Sequence, residues 1–397
     1  MKEVFAWKQI GYDFNGVQYT KDEHVQKHIH SINFKEDNLD EEHRFFTQYN
    51  NIPIGLEVYQ NKLFVTVPRR RHGIPSTVNY VDLDTKESSP LLKPYPNSAS
   101  VDKFFSVYRP RVDACDRLWM VDTGVLETPG DFQQKKQPEI IIYNLKTDEE
   151  IMRYPIPDSV LVNGTTSGLT SITVDVTSTT CDDAYAYIND LAKNGLIVFS
   201  LKKKESWRFE HDTFKYDVGA TDFRVNHARV LNWKDGIFSI ALSDPDSKGV
   251  RKAYYHPLVS TEEFSVSNEI LKNPDSILDP GVAEHFKREG VRGAFSHSGS
   301  HDFHSGTKTL LFANVAQDSI MCWNTKVPLY SNISVPIAQS HQKMSYIADL
   351  KVKGDDVWVL VNDIPTFIYS SYDLNKNNFF VHKGKVKDII KTTECDV

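Results

Sequence analysis

The sequence predicts an all-β fold, a six-bladed β-propeller with four-stranded blades. Two observations support this prediction: six similar segments recur along the 397 residues, and helical periodicity is scarce. In each segment an alternating apolar run leads into a tight turn, and a second run then ends in a polar residue. The stretches between the segments supply further strands, and four strands per repeat close into a ring without long exposed edges. A pair of β-sandwich domains is the alternative, but it does not explain the polar ends of the second runs.

The six segments are interpreted as hairpins, each with a first strand, a turn and a second strand. The first three are "IGLEVY" with "LFVTVPR", "PRVDAC" with "LWMVDTG", and "LTSITVDV" with "AYAYIND". The last three are "VNHARVL" with "GIFSIALSD", "SHSGSHDF" with "TLLFANV", and "SYIADLKV" with "VWVLVND". Alternation with β-branched and aromatic residues is typical of strands. We therefore expect residues 1–397 to form a single propeller domain, with an N-terminal arm of about residues 1–50 closing onto the last blade.

Composition excludes several classes of partner. The formal net charge is −7, whereas a nucleic-acid partner would require a basic face. No apolar run approaches the ~20 residues that span a bilayer. The amino terminus lacks the apolar stretch of a secretory signal, as a mature chain would. Motifs of other enzyme classes (GxSxG, HExxH, the P-loop) are absent. We expect a monomer that binds neither nucleic acid nor membrane.

Polar side chains recur where the predicted second strands end. In a propeller the starts of the first strands and the ends of the second strands share one face, and loops converging there usually form a ligand site. The alternative for any single residue is a cap that satisfies backbone groups at a strand end. The candidate ligand residues are Arg69, Arg70, Arg71, Asp122, Asn189, Asp190, Asp244, Asn314 and Asn362, together with Asp349 in the first strand of the sixth segment.

The stretch "FSHSGSHDFHSG" concentrates three histidines at 297, 301 and 304. A strand over 296–303 would place His297 and His301 on one face, but roughly 13 Å apart along the strand. They cannot share one metal ion at ligand distances of ~2 Å, so we predict no metal site here. His297 should lie near the pocket mouth, His301 should be packed and hydrogen-bonded, and His304 should be a solvated turn residue.

Several long motifs resemble the insect Yellow and major royal jelly protein family. They are "IPIGLEVYQNKLFVTVPRRRHGIPSTVNYVDLD", "VDACDRLWMVDTG", "CDDAYAYINDLAKNGLIVFSLKKKESWRF", "GIFSIALSD", "CWNT" and the terminal "CDV". The resemblance runs from about Trp7 to Cys395. It implies a secreted propeller with two disulfides, Cys115–Cys181 and Cys322–Cys395. Asn163 and Asn332 begin sequons that would accept glycans in a secreted chain.

The resemblance implies functions that diverge within the family. Some Yellow proteins convert dopachrome in melanin synthesis, others affect cuticle pigment without a settled activity, and sand-fly salivary members bind serotonin and catecholamines. In the salivary members a Thr before the sixth-blade Asp, an Asn ending that blade's second strand and a nearby Phe line the amine site. Here Ala348 precedes Asp349, and Asn362 and Ile364 hold the other two positions. Only Asn362 is kept, which disfavours tight amine binding.

Dopachrome conversion requires removal of a proton from carbon, return of a proton to oxygen, and a hold on the carboxylate. A histidine suits the proton step and an arginine suits the carboxylate. We therefore predict a cofactor-free dopachrome isomerase or decarboxylase, with His297 as base and Arg69–Arg71 around the substrate. The related lactonase-type propellers hold calcium with Glu and Asn, whereas the matching first-blade position here is Gly55, and this disfavours catalytic calcium. The alternatives are a binding protein for aromatic amines and a non-catalytic cuticle pigment protein.

Overall fold

The computed structural model describes residues 1–24, 44–128, 131–162, 168–225, 228–230, 233–330 and 335–397. Within these ranges, six four-stranded antiparallel sheets are arranged as a six-bladed β-propeller. The predicted fold class is therefore confirmed.

Each blade begins at the propeller axis, where the first strands of neighbouring blades contact one another. The first strands are Gly55–Tyr59, Arg111–Val112, Leu169–Asp175, Ile237–Leu242, Ser298–His304 and Ile347–Lys353. Each pairs antiparallel with a second strand. The second strands are Lys62–Thr66, Arg117–Asp122, Tyr185–Asp190, Lys252–Pro257, Thr309–Asn314 and Asp356–Val361.

The outer half of each blade follows the same antiparallel order. The third strands are Val78–Asp82, Glu139–Asn144, Gly195–Ser200, Glu262–Ser267, Ser319–Asn324 and Phe379–Lys385. The outermost strands are Lys93–Pro94, Glu149–Pro155, Glu205–Glu210, Lys287–Val291, Val335–Gln339 and Lys2–Trp7. The last blade thus combines both ends of the chain, with Trp7 opposite Phe379 in the ladder.

The prediction for the fourth hairpin is wrong, because its strands were assigned one strand too early in the chain. The run "VNHARVL" at 225–231 does not supply the first strand of the fourth blade, because Ala228–Val230 pairs with Phe223–Val225 in a separate two-stranded sheet. The first strand is Ile237–Leu242, which the sequence suggested as a second strand. Five of its six residues are buried, as the axial position requires. Asp244 therefore lies at the opposite end of the blade, where it pairs with Lys308.

Short elements fill the loops between strands. The other two-stranded sheets pair Tyr12–Phe14 with Val17–Tyr19, Glu23–His24 with Arg44–Phe46, and Val125–Thr128 with Asp131–Gln134. The α-helices are Asn268–Lys272, Ile364–Tyr369 and Val386–Ile389. The 3₁₀ helices are Gln48–Asn50, Ser98–Lys103, Cys181–Asp183, Asp212–Phe214, Val218–Ala220, Pro274–Leu278 and Val282–His285. Across the described ranges, none of the helices has the length and apolar character that a membrane span requires.

The core consists of apolar layers between adjacent blades. Trp119 of the second blade packs in one buried cluster with Ile188 and Phe199 of the third. Leu311 of the fifth blade packs likewise with Val359 of the sixth. Each such side chain contributes about 1.5–3 kcal/mol when fully buried. These layers explain why the strands are apolar on both faces and why the ring is rigid enough to position an axial site.

Two disulfides join Cys115 to Cys181 and Cys322 to Cys395, as the family resemblance implied. The first links the second and third blades. The second ties the segment after the last strand back to the fifth blade, across a sequence separation of 73 residues. Closing so long a loop restricts the unfolded chain.

We expect the double substitution Cys322→Ser and Cys395→Ser to lower the free energy of unfolding by about 2–4 kcal/mol. Urea unfolding followed by circular dichroism measures this change. Because the Cys115–Cys181 loop is of similar length, with a separation of 66 residues, its removal should have a similar effect. An unchanged urea midpoint in both double variants would contradict the entropic account.

Candidate functional site

A cavity of about 260 Å³ lies on the propeller axis, at the end where the first strands begin. Five of the six blades contribute a residue at or just before that point. They are Ile54, Arg109, Thr170, Phe238 and Ala348. The start of the first blade's strand packs against the second: a Cβ on Gly55 would lie 2.2 Å from the carbonyl oxygen of Tyr108. This close approach positions Tyr108 and Arg109 at the cavity wall.

Aromatic rings form much of the wall. Trp233 and Tyr346 both line the cavity, with ring centroids 6.4 Å apart and planes 9° from parallel. Phe238 lies beneath the guanidinium of Arg109, at 4.5 Å from the ring centroid. The cavity therefore suits a flat aromatic ligand, with polar groups that can fix its orientation.

The charge of Arg70 in the cavity wall is neutralised by the neighbouring Glu127. Arg70 contacts Glu127 at 2.7 Å through Nη1, and Nη1 also lies 3.2 Å from the Tyr108 hydroxyl. The same hydroxyl donates a short hydrogen bond to Glu127. Burial, reinforced by the charge of Glu127, raises the pKa of Tyr108, so the phenol stays protonated. This trio forms a rigid polar wall.

Arg109 is held differently. Its Nε donates to the carbonyl oxygen of Ala348 at 2.8 Å and its Nη1 to that of Thr170 at 3.1 Å. Its side chain is only 5% exposed. The nearest carboxylate is that of Asp349, 4.0 Å from Nε, and Lys351 binds this carboxylate at 2.8 Å. The guanidinium is thus fixed by carbonyl groups, and among the described residues the carboxylate nearest to it is also bound by Lys351.

Asp235 is the second carboxyl group in the wall. It lies two residues before the first strand of the fourth blade and is partly exposed, toward the cavity. Burial raises the pKa of Asp235, although a hydrogen bond from Trp233 and the charges of Arg70 and Arg109 oppose this effect. A carboxyl with an upward-shifted pKa in an enclosed cavity is suited to proton transfer.

Comparison with known proteins places this architecture in a family. Residues 105–395 match the family model described as "Major royal jelly protein". The chain belongs to the Yellow and major royal jelly protein family. This Yellow-family chain is 37% identical over 408 residues to "L-dopachrome tautomerase yellow-f" of Drosophila melanogaster, covering 100% of this chain and 94% of that protein.

Two further relatives are similar in sequence to most of this chain. "Dopaminechrome tautomerase" of Drosophila melanogaster is 35% identical over 368 residues, covering 88% of this chain and 78% of that protein. "Protein yellow" of Drosophila erecta is 34% identical over 357 residues, covering 88% of this chain and 65% of that protein. Among solved structures, a luciferin-regenerating enzyme aligns with a TM-score of 0.46 at 11% identity, covering 84% of this chain and 91% of that chain.

Of the positions that the Yellow resemblance singled out, Ala348 and Ile364 line the cavity. Among the predicted ligand residues, Arg70 lines it too, whereas Arg69 and Arg71 bond to backbone carbonyls outside it. Arg71 donates to the Phe367 carbonyl oxygen at 2.8 Å and stacks on that ring. The three consecutive arginines therefore do not act as one group.

The other predicted ligand residues satisfy backbone groups at strand ends, the alternative that the sequence left open. The Asp122 carboxylate accepts hydrogen bonds from two backbone N–H groups, those of Phe105 and Ser106. The remaining bonds are Asn189 to the Ile237 carbonyl, Asp190 from the Gly168 N–H, Asn314 from the Ala316 N–H, Asp349 from the Leu56 N–H, and Asn362 to the Pro53 carbonyl. These residues shape the face that surrounds the cavity.

His297 also lies outside the cavity wall. It is 3% exposed, its ring stacks on Phe223 at 4.0 Å, and its Nε2 donates to the Ala220 carbonyl oxygen at 2.7 Å. Burial lowers the pKa of His297 to about 4, against the effect of that carbonyl. The imidazole is therefore neutral and enclosed by protein. The sequons at Asn163 and Asn332 lie outside the described residues.

His301 joins a fully buried group between the fourth and fifth blades. Its Nε2 lies 3.4 Å from Glu263, whose carboxylate also contacts His256 Nδ1 at 2.8 Å and Arg292 Nη1 at 2.7 Å. Donor atoms of the two histidines and Glu263 lie within 4.8 Å of one another. Arg292 already neutralises the carboxylate, which favours a structural ionic network. His304, predicted as solvated, is buried because Thr307 and Asp355 bind its two ring nitrogens.

Three residues of the cavity wall were not predicted from the sequence: Arg109, Asp235 and Glu127. Arg109 and Asp235 come just before first strands, so a correct register for the fourth hairpin would have brought Asp235 to the predicted face. Glu127 belongs to the Val125–Thr128 strand of a small hairpin outside the blades. No sequence pattern marks that hairpin as folding over the axis.

Proposed function

We propose that this protein is a secreted Yellow-family enzyme of pigment synthesis that converts L-dopachrome to a dihydroxyindole in the axial cavity, without a cofactor. The proposal rests on one observation: a carboxyl group with a raised pKa, Asp235, and a buried guanidinium, Arg109, line the same aromatic-walled cavity. The names of two relatives support it, because both are tautomerases of bicyclic aminochromes.

The reaction requires no redox partner. In the isomerisation, one proton leaves each of the two saturated carbons of the five-membered ring, a new ring double bond forms, two electrons pass into the quinone, and both quinone oxygens become hydroxyls. In the decarboxylating variant the bond between the ring and the carboxylate breaks in place of one of the two C–H bonds, CO₂ leaves, and one proton from water completes the second hydroxyl. Both variants are rearrangements of electrons already in the substrate.

Asp235 is the group that we assign to the proton transfer. Its position among Arg70, Glu127 and Arg109 is enclosed, and its raised pKa lies closer to neutrality than that of an ordinary aspartate. Such a carboxyl can accept a proton from carbon and return one to oxygen. The indole of Trp233, which hydrogen-bonds to the carboxyl, fixes its orientation.

Binding of an aromatic amine is the second candidate function, and the presence of the Asp235 carboxyl in the cavity wall is the observation that favours it. Arg109 disfavours this function, because its positive charge would repel the ammonium group of an amine in so small a cavity. The cavity also has apolar Ala348 and Ile364 at the positions where the salivary members of the family carry Thr and Phe. These differences favour an anionic ligand over an ammonium.

We expect the purified protein to accelerate the loss of the visible absorbance of L-dopachrome in proportion to its concentration. Heat-denatured protein is the control for spontaneous decay, and treatment with a chelator should leave the rate unchanged. Calorimetric titration with dopamine and serotonin tests the second function. Tight binding of either amine without any dopachrome turnover would replace the proposed enzyme with a binding protein.

A further inference from the structure

Arg109 has one side of its guanidinium available to a ligand. Nε and Nη1 are committed to the carbonyl oxygens of Ala348 and Thr170. In the described part of the chain, Nη2 has no hydrogen-bond partner, although the side chain is 95% buried and lines the cavity. Phe238 supports the plane of the guanidinium from one face. The open edge of the fork therefore has a fixed direction.

The charge of Arg109 is also incompletely balanced. Asp349, at 4.0 Å, is bound more closely by Lys351 and also accepts a hydrogen bond from Ser300 at 2.9 Å. Glu127 is paired with Arg70. Asp235 is the remaining carboxyl in the wall, and among the described residues no ion pair within 4.0 Å joins it to Arg109. A buried cation without its own carboxylate is unfavourable until an anion binds.

We propose that Arg109 binds the carboxylate of a bicyclic aromatic acid and so sets the substrate class of the cavity. This inference deepens the proposed function and rests on it, because the carboxylate is the group that L-dopachrome has and dopaminechrome lacks. Guanidinium and carboxylate form charge-assisted hydrogen bonds with a defined geometry. The contact would hold the ring with one edge at Arg109 and leave Asp235 to exchange protons.

Calorimetric titration with two stable probes, indole-2-carboxylate and indole, tests this inference apart from turnover. We expect the wild-type protein to bind indole-2-carboxylate about 10- to 100-fold more tightly than indole, the effect of a charged hydrogen bond. Arg109→Gln should reduce this ratio to near one. Arg109→Lys should give an intermediate ratio, because lysine keeps the charge without the fork. Arg153→Gln, at an outer blade edge where Arg153 pairs with Glu139, is the matched control and should keep the wild-type ratio.

The outcomes separate this inference from the proposed function. A ratio of one in the wild-type protein, or an unchanged ratio in Arg109→Gln, overturns the carboxylate site even if dopachrome is converted. A preference for indole-2-carboxylate over indole that is present in the wild-type protein and lost in Arg109→Gln supports the site. If such a wild-type protein converts no dopachrome, only the enzymatic function fails. Circular dichroism checks the fold of each variant, and Arg109→Lys provides the answer if Arg109→Gln does not fold.

Discussion

Replacing Asp235 with Asn should lower kcat/KM for L-dopachrome by about 10²- to 10⁴-fold, the usual contribution of a positioned general acid or base. Asparagine keeps the size of the side chain but cannot exchange a proton. We expect little effect on folding, because Asp235 is partly exposed to the cavity and makes no ion pair as close as that of Arg70 with Glu127. Absorbance assays over a range of L-dopachrome concentrations measure the change.

Two further variants make the Asp235 experiment decisive. Asp212→Asn, whose side chain is 91% exposed beside Lys215, is the neutral control and should keep the wild-type rate. His297→Ala tests the base predicted from the sequence, and the enclosed ring makes us expect retained turnover in protein that folds. Full activity in Asp235→Asn, with loss in a folded His297→Ala variant, would transfer the proton step to His297.

Replacing Glu263 with Gln should lower the free energy of unfolding by about 3–5 kcal/mol, the cost of removing one partner from a buried ion pair. Glu263 and Arg292 are both fully buried, and their contact at 2.7 Å lies beside His256 and His301. Glutamine would leave the guanidinium of Arg292 without a carboxylate. Urea unfolding at neutral pH, followed by circular dichroism, measures the loss.

The contribution of the Glu263 carboxylate to the stability of the fold depends on pH in a definite direction. Burial would raise the pKa of Glu263, but His256 and His301 outweigh burial and lower it from 4.5 to about 2. The carboxylate therefore stabilises the folded state fully above pH 4.5, and this stabilisation is lost as the pH falls toward 2. Glu262→Gln is the matched control: its exposed pair with Arg288 should contribute at most about 1 kcal/mol. Equal urea midpoints for the two variants would refute the buried network as a stabilising element.

Alternation along the strands was enough to predict the propeller and five of its six hairpins. It failed at the fourth hairpin because Ile237–Leu242 is buried on both faces and has no polar side that marks its register. The location of the cavity face also followed from the sequence, since it depends only on strand direction. The sequence does not predict which polar groups turn toward the axis, because contacts with the neighbouring blade determine their orientation. Asn189, for example, is satisfied by the carbonyl of Ile237 in the next blade.

The ionic group around His301 was beyond sequence analysis for a similar reason. His256 and Glu263 come from the preceding blade, and only the packing of two blades brings them to His301. Sequence spacing correctly separated His297 from His301 but could not supply the true neighbours of either histidine. The disulfide pairing came from the family resemblance, since spacing alone left three pairings possible.

The pairing of Lys2–Trp7 with Phe379–Lys385 has a consequence for biosynthesis. Lys2–Trp7 leaves the ribosome before its partner strand, because 372 residues separate Trp7 from Phe379, and synthesis of that length takes on the order of 20–75 s at ordinary rates of translation. During that time its apolar residues Phe5 and Trp7, which are buried in the folded ring, have no partner strand. Closure of the ring therefore follows synthesis of Phe379–Lys385, and formation of the Cys322–Cys395 bond follows synthesis of Cys395.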